Sequence, residues 1–287
     1  MNPITKAYSG IILLAISWGT IPLIIRTSDI DSLSLVGIRT LLGSLFLSFF
    51  IIKKGLNFKE LLRPGIILGP LLAIHWVTMF ESIELNSIAV GIGLIFSYPI
   101  FLLLFEYLKG TQLTLFQVLL ILLGFLGVYL LLEIDSINSI EGVIYGIISA
   151  ISLALIITIG EKFSNSLGGL NVAFAQLVFA AIILFYFTLD GVPWLFKNPF
   201  VGMFLGFFLT GVGLSTYWYV VKIIKPISVS TISYLEPLTG VVLGIYLLGE
   251  SINIRQFIGF VLVIVMGILQ LIYDTKLKST RQQKLIP

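Results

Sequence analysis

The sequence consists almost entirely of apolar runs, separated by short breaks of charged and turn-forming residues. A run of about 20 apolar residues is long enough to cross a bilayer as a helix. Hydrophobic residues make up 58% of the 287 residues and charged residues 11%, whereas a soluble domain has about 25% charged residues. The chain is therefore expected to be an all-α polytopic membrane protein that lies in a lipid bilayer.

The apolar runs predict ten transmembrane helices. The first is interpreted as a helix and not as a signal peptide, because no small-residue cleavage site follows it. The breaks contain turn residues, such as DGVP from Asp190, and none is long enough for a soluble domain. The ten predicted helices lie near residues 7–25, 33–52, 65–83, 87–108, 113–132, 141–160, 170–189, 199–221, 226–248 and 254–273.

Lysine and arginine are concentrated in alternate breaks, and such residues favour the cytoplasmic side of a membrane. This bias predicts an even number of spans in the cell membrane, with both termini cytoplasmic. The other side is expected to hold Asp29, Asp31, Glu84, Glu133, Asp135, Glu141, Asp190 and Glu250. The basic residues assigned to the cytoplasm are Lys6, Lys53, Lys54, Lys59, Arg63, Lys109, Lys162, Lys222, Lys225, Lys276, Lys278, Arg281 and Lys284.

The two halves of the chain resemble each other weakly, in the same order and at nearly constant spacing. The matched pairs are Arg26 with Lys162, Arg39 with Gln176, Gly69 with Gly206, Pro99 with Pro237 and Gln117 with Gln256. Five helices in each copy would place the second copy upside down in the membrane, an inverted repeat common in secondary transporters. The predicted units are a first repeat, 1–136, a second repeat, 137–274, and a basic cytoplasmic tail, 275–287, expected to be disordered.

Paired small residues four apart can bring membrane helices close together. Such pairs are candidates for helix contacts, although some arise by chance in a glycine-rich chain. They are Gly65/Gly69, Gly142/Gly146, Gly202/Gly206 and Gly240/Gly244.

Several motifs resemble the EamA family of the drug/metabolite transporter superfamily. They are Ser17-Trp18-Gly19, Arg39, the prolines of the fourth and ninth helices, and the stretch YLEPLTGVVLGIYLLGESINIRQFIGFVLVIVMGIL from Tyr234. The resemblance covers nearly the whole chain. It implies ten helices and export or exchange of a small metabolite, with helices 1–4 and 6–9 lining the pathway and helices 5 and 10 apart from it.

The first copy departs from the family's pattern and leaves the cargo open. Thr111 stands where the second copy has Glu250, and Leu120 stands where it has Gly259. Glu106 has no counterpart in the second copy.

The third predicted helix carries a polar stripe of His75, Thr78, Glu81 and Ser82. An ionisable side chain inside a membrane segment is costly and commonly functional. The stripe has two interpretations, hydrogen bonding between helices and lining of the pathway. His75 and Glu81, together with Glu236, are the candidates for carrying a proton during transport.

Pro99 and Pro237 lie inside the fourth and ninth predicted helices. A proline leaves the carbonyl four residues earlier without its helical partner, here Ile95 and Ser233. Broken backbone at membrane depth requires a cavity or a neighbouring helix. Matched prolines therefore predict a substrate site near the midplane, with Glu236 favouring a cargo that has an amino or other cationic group.

Arg39 either contacts an anion in the pathway or is satisfied by snorkelling or by Asp31. Aromatic residues either line the pathway or fill the core and the membrane interface. Glu106 and Glu250 lie near helix ends, where capping and loop contacts are expected. The predicted pathway residues are Trp18, Arg39, His75, Trp76, Glu81, Tyr98, Pro99, Tyr217, Trp218, Tyr219, Tyr234, Glu236 and Pro237.

The composition argues against the other functional classes. One histidine, no cysteine and no catalytic motif argue against an enzyme, a metal site or a cofactor. The small net charge of +3 argues against nucleic-acid binding, and few buried basic residues argue against phosphorylated cargo. The chain is interpreted as a secondary transporter of a small molecule such as an amino acid or amphipathic amine, as a uniporter or proton-coupled, and as a monomer or homodimer. A passive channel or facilitator is the alternative.

Overall fold

The computed structural model describes residues 2–55, 58–132, 137–248 and 253–283, and its regular elements there are all helical. The elements are α1 (Pro3–Trp18), α2 (Ile21–Thr27), α3 (Ser32–Lys54), α4 (Phe58–Leu85), α5 (Ile88–Ile95), α6 (Tyr98–Leu108), α7 (Leu115–Leu132), α8 (Ile140–Leu167), α9 (Gly169–Ile183), α10 (Phe185–Lys197), α11 (Pro199–Met203), a π-helix (Phe204–Val212), α12 (Gly213–Ile223), α13 (Pro226–Ser233), α14 (Leu235–Leu248) and α15 (Ile254–Gln283).

The prediction of an all-α polytopic membrane protein is confirmed, but the count of ten spans is not. Within the described ranges, α9 and α10 form a pair bent by 91° that counts as a ninth span if taken together. The predicted ninth helix, here α13 and α14, is not among the described stretches that are long and apolar enough to cross a membrane. In the part of the chain that the structure describes, eight helical stretches are each long and apolar enough to cross a membrane: Pro3–Ile24, Ser32–Lys53, Phe58–Leu85, Ile88–Leu108, Leu115–Leu132, Ile140–Leu167, Pro199–Ile223 and Ile254–Lys276.

The predicted proline breaks are present in both copies. The fourth predicted helix is interrupted between α5 and α6, just before Pro99, and the ninth is interrupted at Tyr234, just before Pro237. Each proline lies in the first turn of the following helix, where its missing N–H is tolerated. The break at Gly19 between α1 and α2 was not predicted.

Two boundary predictions are wrong. The DGVP segment from Asp190 was expected to be a break, but it lies inside α10, and the chain bends instead at Leu184. The tail from residue 275 was expected to be disordered, but α15 continues to Gln283, and residues 284–287 lie outside the described ranges. Helix propensity explains the second result, because lysine, glutamine and arginine are good helix formers.

Helix α7 and helix α15 begin with the same local structure. The Gln117 side chain accepts from the backbone N–H of Thr114 at 3.2 Å, and the Gln256 side chain accepts from that of Asn253 at 3.0 Å. In return, Thr114 and Asn253 cap the N–H groups of these glutamines. These reciprocal pairs are capping boxes, so the predicted repeat is visible in local structure.

The packing between the two copies is also reciprocal. Helix α4 lies against α9 where Gly69 meets Phe179, and the π-helix lies against α3 where Gly206 meets Leu42. Gly206 follows Gly69 in the sequence by the same number of residues as Phe179 follows Leu42. Reciprocal contacts are the property of a twofold arrangement.

The paired small residues mark helix contacts in most cases. Any Cβ at Gly65 or Gly69 would overlap Phe179, and one at Gly142 or Gly146 would overlap residues of α4 and α5. Gly240 has more space around it. A Cβ atom added there would have the Gly19 carbonyl oxygen, at 3.5 Å, as its nearest neighbour.

Candidate substrate-binding site

Two adjoining cavities lie between the two copies. The inner cavity has a volume of about 90 Å³ and the vestibule about 700 Å³. The vestibule extends to the face of the bundle that carries the loops after α2 and α4, where Ser28 and Ser87 line it. The two cavities are continuous in their walls, since both are lined by Pro22, Ile83, Ile92, Phe96 and Glu236.

Side chains from both copies line the inner cavity, and most of the predicted pathway residues are among them. The predicted residues in its wall are Trp18, Arg39, His75, Trp76, Tyr98, Tyr217, Trp218 and Glu236. The apolar part of the wall includes Leu72, Met79, Ile95, Leu153, Ile156 and Leu214. The cavity is therefore mostly apolar with a few polar groups, which is typical of a small-molecule site.

Arg39 is buried in the wall of the inner cavity. Its side chain is 2% exposed, and its guanidinium carbon lies 4.0 Å from the centre of the Trp76 ring. Its Nε donates to Thr210 Oγ1 at 3.1 Å, whereas Nη1 has no protein partner. Asp31, the expected alternative partner, instead caps α3 through the backbone N–H of Ser34.

Two further buried donors in the same wall have no protein partner. Gln176 Oε1 accepts from Trp218 Nε1 at 2.9 Å, and this bond leaves Gln176 Nε2 free. The hydroxyl of Tyr217 is also unpaired, and its ring stacks on Trp18 at 5.8 Å. Buried polar groups nearly always have a partner, so these donors, with Arg39 Nη1, are suited to an acceptor-rich ligand group.

Gln176 was not among the predicted pathway residues. The match between Gln176 and Arg39 in the repeat could have placed Gln176 in the same cavity wall. In the structure both residues line the inner cavity, and Arg39 packs on Trp76 as Gln176 bonds to Trp218.

Glu236 lies in the first turn of α14 and lines both cavities. Glu236 forms no ion pair with Arg39 closer than 4.0 Å. Glu236 and Arg39 thus share the inner cavity without touching each other.

The Glu236 backbone is held by a close approach of two broken helices. A Cβ atom added to Gly19, at the break between α1 and α2, would lie 2.5 Å from the Glu236 carbonyl oxygen and 2.5 Å from Thr239 Cβ. Only glycine permits this separation. The break in the first helix therefore positions the break in the ninth.

His75 contacts both a neighbouring helix and the inner cavity. Its Nδ1 lies 2.8 Å from Ser149 Oγ and 3.1 Å from the Ser149 carbonyl, and Ser149 Oγ donates to the His75 carbonyl at 2.9 Å. This geometry assigns the ring proton to Nδ1. His75 thus joins α4 to α8 and also lines the inner cavity.

Glu81 lies outside both cavities. It is half-buried on α4, and its charged neighbours are Glu84, Asp31 and Glu141. The Thr78 hydroxyl bonds back to the carbonyl of Ile74 at 2.7 Å. The polar stripe therefore separates into His75 at the cavity and Glu81 away from it.

The other predicted residues take different places. Pro237 lines the vestibule, and Tyr219 is 41% exposed. Tyr234 is fully buried and donates to the Ile121 carbonyl at 3.2 Å, and Pro99 is buried in α6. Tyr219, Tyr234 and Pro99 are not in the wall of either cavity.

The ends of the predicted fifth and tenth helices reach the vestibule. The C-terminal residues of α7, Leu131 and Leu132, line the vestibule, and so does Gln256 from the first turn of α15. The resemblance implied that these two helices lie apart from the pathway, and this stays a prediction.

An ionic cluster joins α6 to α8 at the C-terminal end of α6. Glu106 is 4% exposed, bonds Lys109 Nζ at 2.7 Å and accepts from Thr111 Oγ1 at 2.8 Å. Lys109 also contacts Glu161 of α8 at 3.2 Å. The expected loop contact of Glu106 is confirmed, whereas Glu250 lies outside the described residues.

Comparisons with known proteins agree over the whole chain. A model of the EamA-like transporter family matches residues 5–133 and again residues 140–272. The chain is 25% identical to an uncharacterized transporter of Archaeoglobus fulgidus, over 88% of this chain and 91% of that protein. It is 24% identical to the uncharacterized inner membrane transporter YedA of Escherichia coli K12, over 86% and 84%.

The fold is also similar to that of a solved crystal structure. The TM-score is 0.75 at 16% sequence identity, over 93% of this chain and 97% of that chain.

Proposed function

Because the chain belongs to the EamA-like transporter family, we propose that it is a secondary transporter that carries an apolar amino acid across the cell membrane. The relatives named above are both called transporters. Repeats 1–136 and 137–274 would expose the cavity to each side in turn, with both termini in the cytoplasm.

One observation carries the choice of cargo. Arg39 has a free Nη1, Glu236 forms no ion pair with it closer than 4.0 Å, and both line one cavity. An amino acid carries the complementary charges, a carboxylate for Arg39 and an ammonium for Glu236. An amine without a carboxylate would satisfy Glu236 alone, so the free donors favour an amino acid over an amphipathic amine.

The remaining wall supports an apolar side chain on that amino acid. Leu72, Met79, Ile95 and Leu214 face the same space as the charged groups. A charged or strongly polar side chain on the substrate would lose its water there and find no hydrogen-bond partner, at a cost of roughly several kcal/mol.

The two cavities support alternating access over a channel. The vestibule reaches one face of the bundle. The ionic cluster of Glu106, Lys109 and Glu161 joins α6 to α8 at a different place, the C-terminal end of α6. With the proposed topology, this conformation would be open to the outside. An open channel requires a continuous pore, whereas the inner cavity holds only about 90 Å³.

Glu236 is the best candidate for proton coupling. It is the one carboxylate in the inner wall, within the described residues, and it would bind either a proton or the substrate's ammonium group. His75 is the second candidate, and its Nδ1 is engaged by Ser149. Glu81 is less suited because it lies outside both cavities.

Transport into proteoliposomes tests the proposal. Uptake of labelled L-leucine should saturate, show counterflow against internal unlabelled leucine, and be stronger than uptake of isoamylamine, which lacks the carboxylate. Flux that rises linearly with concentration and shows no counterflow would instead support the channel. Absence of any preference for the amino acid would overturn the assignment of Arg39.

A further inference from the structure

The predicted eighth helix contains a nine-residue π-helix, Phe204–Val212, between α11 and α12. Its bonding pattern is wider than that of an α-helix, as in the bond from the Gly213 N–H to the Phe208 carbonyl. Such segments are rare and are frequent at functional sites. Each residue added to a helical turn rotates the following side chains by about 100°.

Two consecutive residues of this π-helix hold two side chains of the inner cavity. The Leu209 carbonyl accepts from Trp18 Nε1 of α1 at 2.7 Å. The Thr210 hydroxyl accepts from Arg39 Nε of α3 at 3.1 Å. Neither Leu209 nor Thr210 lines the inner cavity itself, so both act behind the wall.

Thr210 has little room to move. It is fully buried, and its methyl group lies 2.9 Å from where a Cβ of Gly43 would stand. The Gly206 carbonyl lies 3.1 Å from the same point. The two branches of Thr210 therefore have separate roles, since the methyl packs on Gly43 and the hydroxyl fixes Arg39.

We propose that Thr210 is a positioning residue that sets the selectivity of the site for a carboxylate. Its bond occupies Arg39 Nε and, with the Trp76 ring on the guanidinium face, leaves Nη1 free for the ligand. A bidentate group such as guanidinium recognises a carboxylate only in a fixed orientation. This inference rests on the proposed function, because it assumes that Arg39 binds the carboxylate of the cargo.

The two branches of Thr210 allow a matched test. Thr210→Val keeps the shape and removes the hydroxyl, whereas Thr210→Ser keeps the hydroxyl and removes the methyl. Dissociation constants for L-leucine and isoamylamine would be measured on the purified, full-length protein in nanodiscs. Thr210→Val should weaken leucine binding by about tenfold, as expected for one bond to a charged group, and leave isoamylamine within about twofold. Thr210→Ser should retain most of the preference for leucine.

A double-mutant cycle separates positioning from packing. In an Arg39→Lys background, Thr210→Val should have no further effect on leucine binding. Lysine has no Nε and no planar guanidinium whose orientation the Thr210 hydroxyl could fix. Equal losses for leucine and isoamylamine in Thr210→Val, or an unchanged ratio, would overturn the inference and leave the proposed function standing. Wild-type protein that binds leucine no better than isoamylamine would overturn both.

Discussion

Gly19 lies directly against the backbone carbonyl of Glu236, and no other residue type fits between them. The break in the first helix and the break in the ninth therefore meet at the edge of the vestibule, which Gly19 and Glu236 both line. The site is positioned by three interrupted helices, of which two were predicted from their prolines.

Gly19→Ala should reduce both thermal stability and transport. The added methyl group would lie 2.5 Å from Glu236 O and from Thr239 Cβ, and overpacking of this kind costs about 1–3 kcal/mol. Gly240→Ala is the matched control on the opposing helix, since its nearest neighbour is at an ordinary 3.5 Å. Melting temperatures in detergent and leucine uptake would be compared, and equal values for the two variants would contradict the close approach.

Glu236→Gln should weaken leucine binding by at least about tenfold, because the ammonium group loses a charged partner, and should abolish uptake driven by a pH gradient. Glu81→Gln is the control, because Glu81 lies outside both cavities. Glu81→Gln should leave leucine binding and pH-driven uptake within about twofold of wild type, which corresponds to a free-energy change below about 1 kcal/mol. Loss of pH-driven uptake in Glu81→Gln alone would move the proton site to α4.

Much of the fold could be predicted because the relevant signals are local. Pro99 and Pro237 interrupt their helices by missing a backbone donor, and Gln117 and Gln256 reveal matched helix starts through their spacing from Thr114 and Asn253. Each of these depends on residues within one or two turns.

The remaining features depend on contacts between helices. The bend at Leu184 has no proline or glycine to mark it, and the π-helix has no local signature. His75 and Glu81 lie about 120° apart around α4, so one polar stripe can face both a cavity and a neighbouring helix. Gln176 is an ordinary core residue in sequence, and its free Nε2 becomes evident only beside Trp218.

The proposed topology can be tested with single cysteines, since the chain contains none of its own. Cysteines at positions 54, 135 and 197 would be labelled with a membrane-impermeant maleimide in intact cells. Position 54 should be protected and positions 135 and 197 should react, because the lysine and arginine bias places the first of these breaks inside. Position 135 lies outside the described residues. Labelling of position 54 would contradict the inverted repeat.

The last prediction concerns the ionic cluster at the end of α6. Partial burial lowers the pKa of Lys109, but its hydrogen bond and charge attraction to Glu106, and then to Glu161, raise the pKa above the ordinary value overall. A raised pKa in the folded state stabilises the protein fully below the ordinary lysine value, and this stabilisation is lost only as the pH rises through the raised value. Lys109 is therefore charged throughout the range from about pH 7 to pH 9.

Lys109→Gln should accordingly lower the free energy of unfolding by about 1 kcal/mol, a value reduced for the partial exposure of the lysine, and the loss should not change between about pH 7 and pH 9. The buried Glu106 would lose its cation, whereas Lys162→Gln, at an exposed position of α8, should change little. Thermal unfolding at several pH values would measure both variants. If the two variants have the same melting temperature, or if the difference between their melting temperatures disappears toward about pH 9, the cluster does not stabilise the contact between α6 and α8.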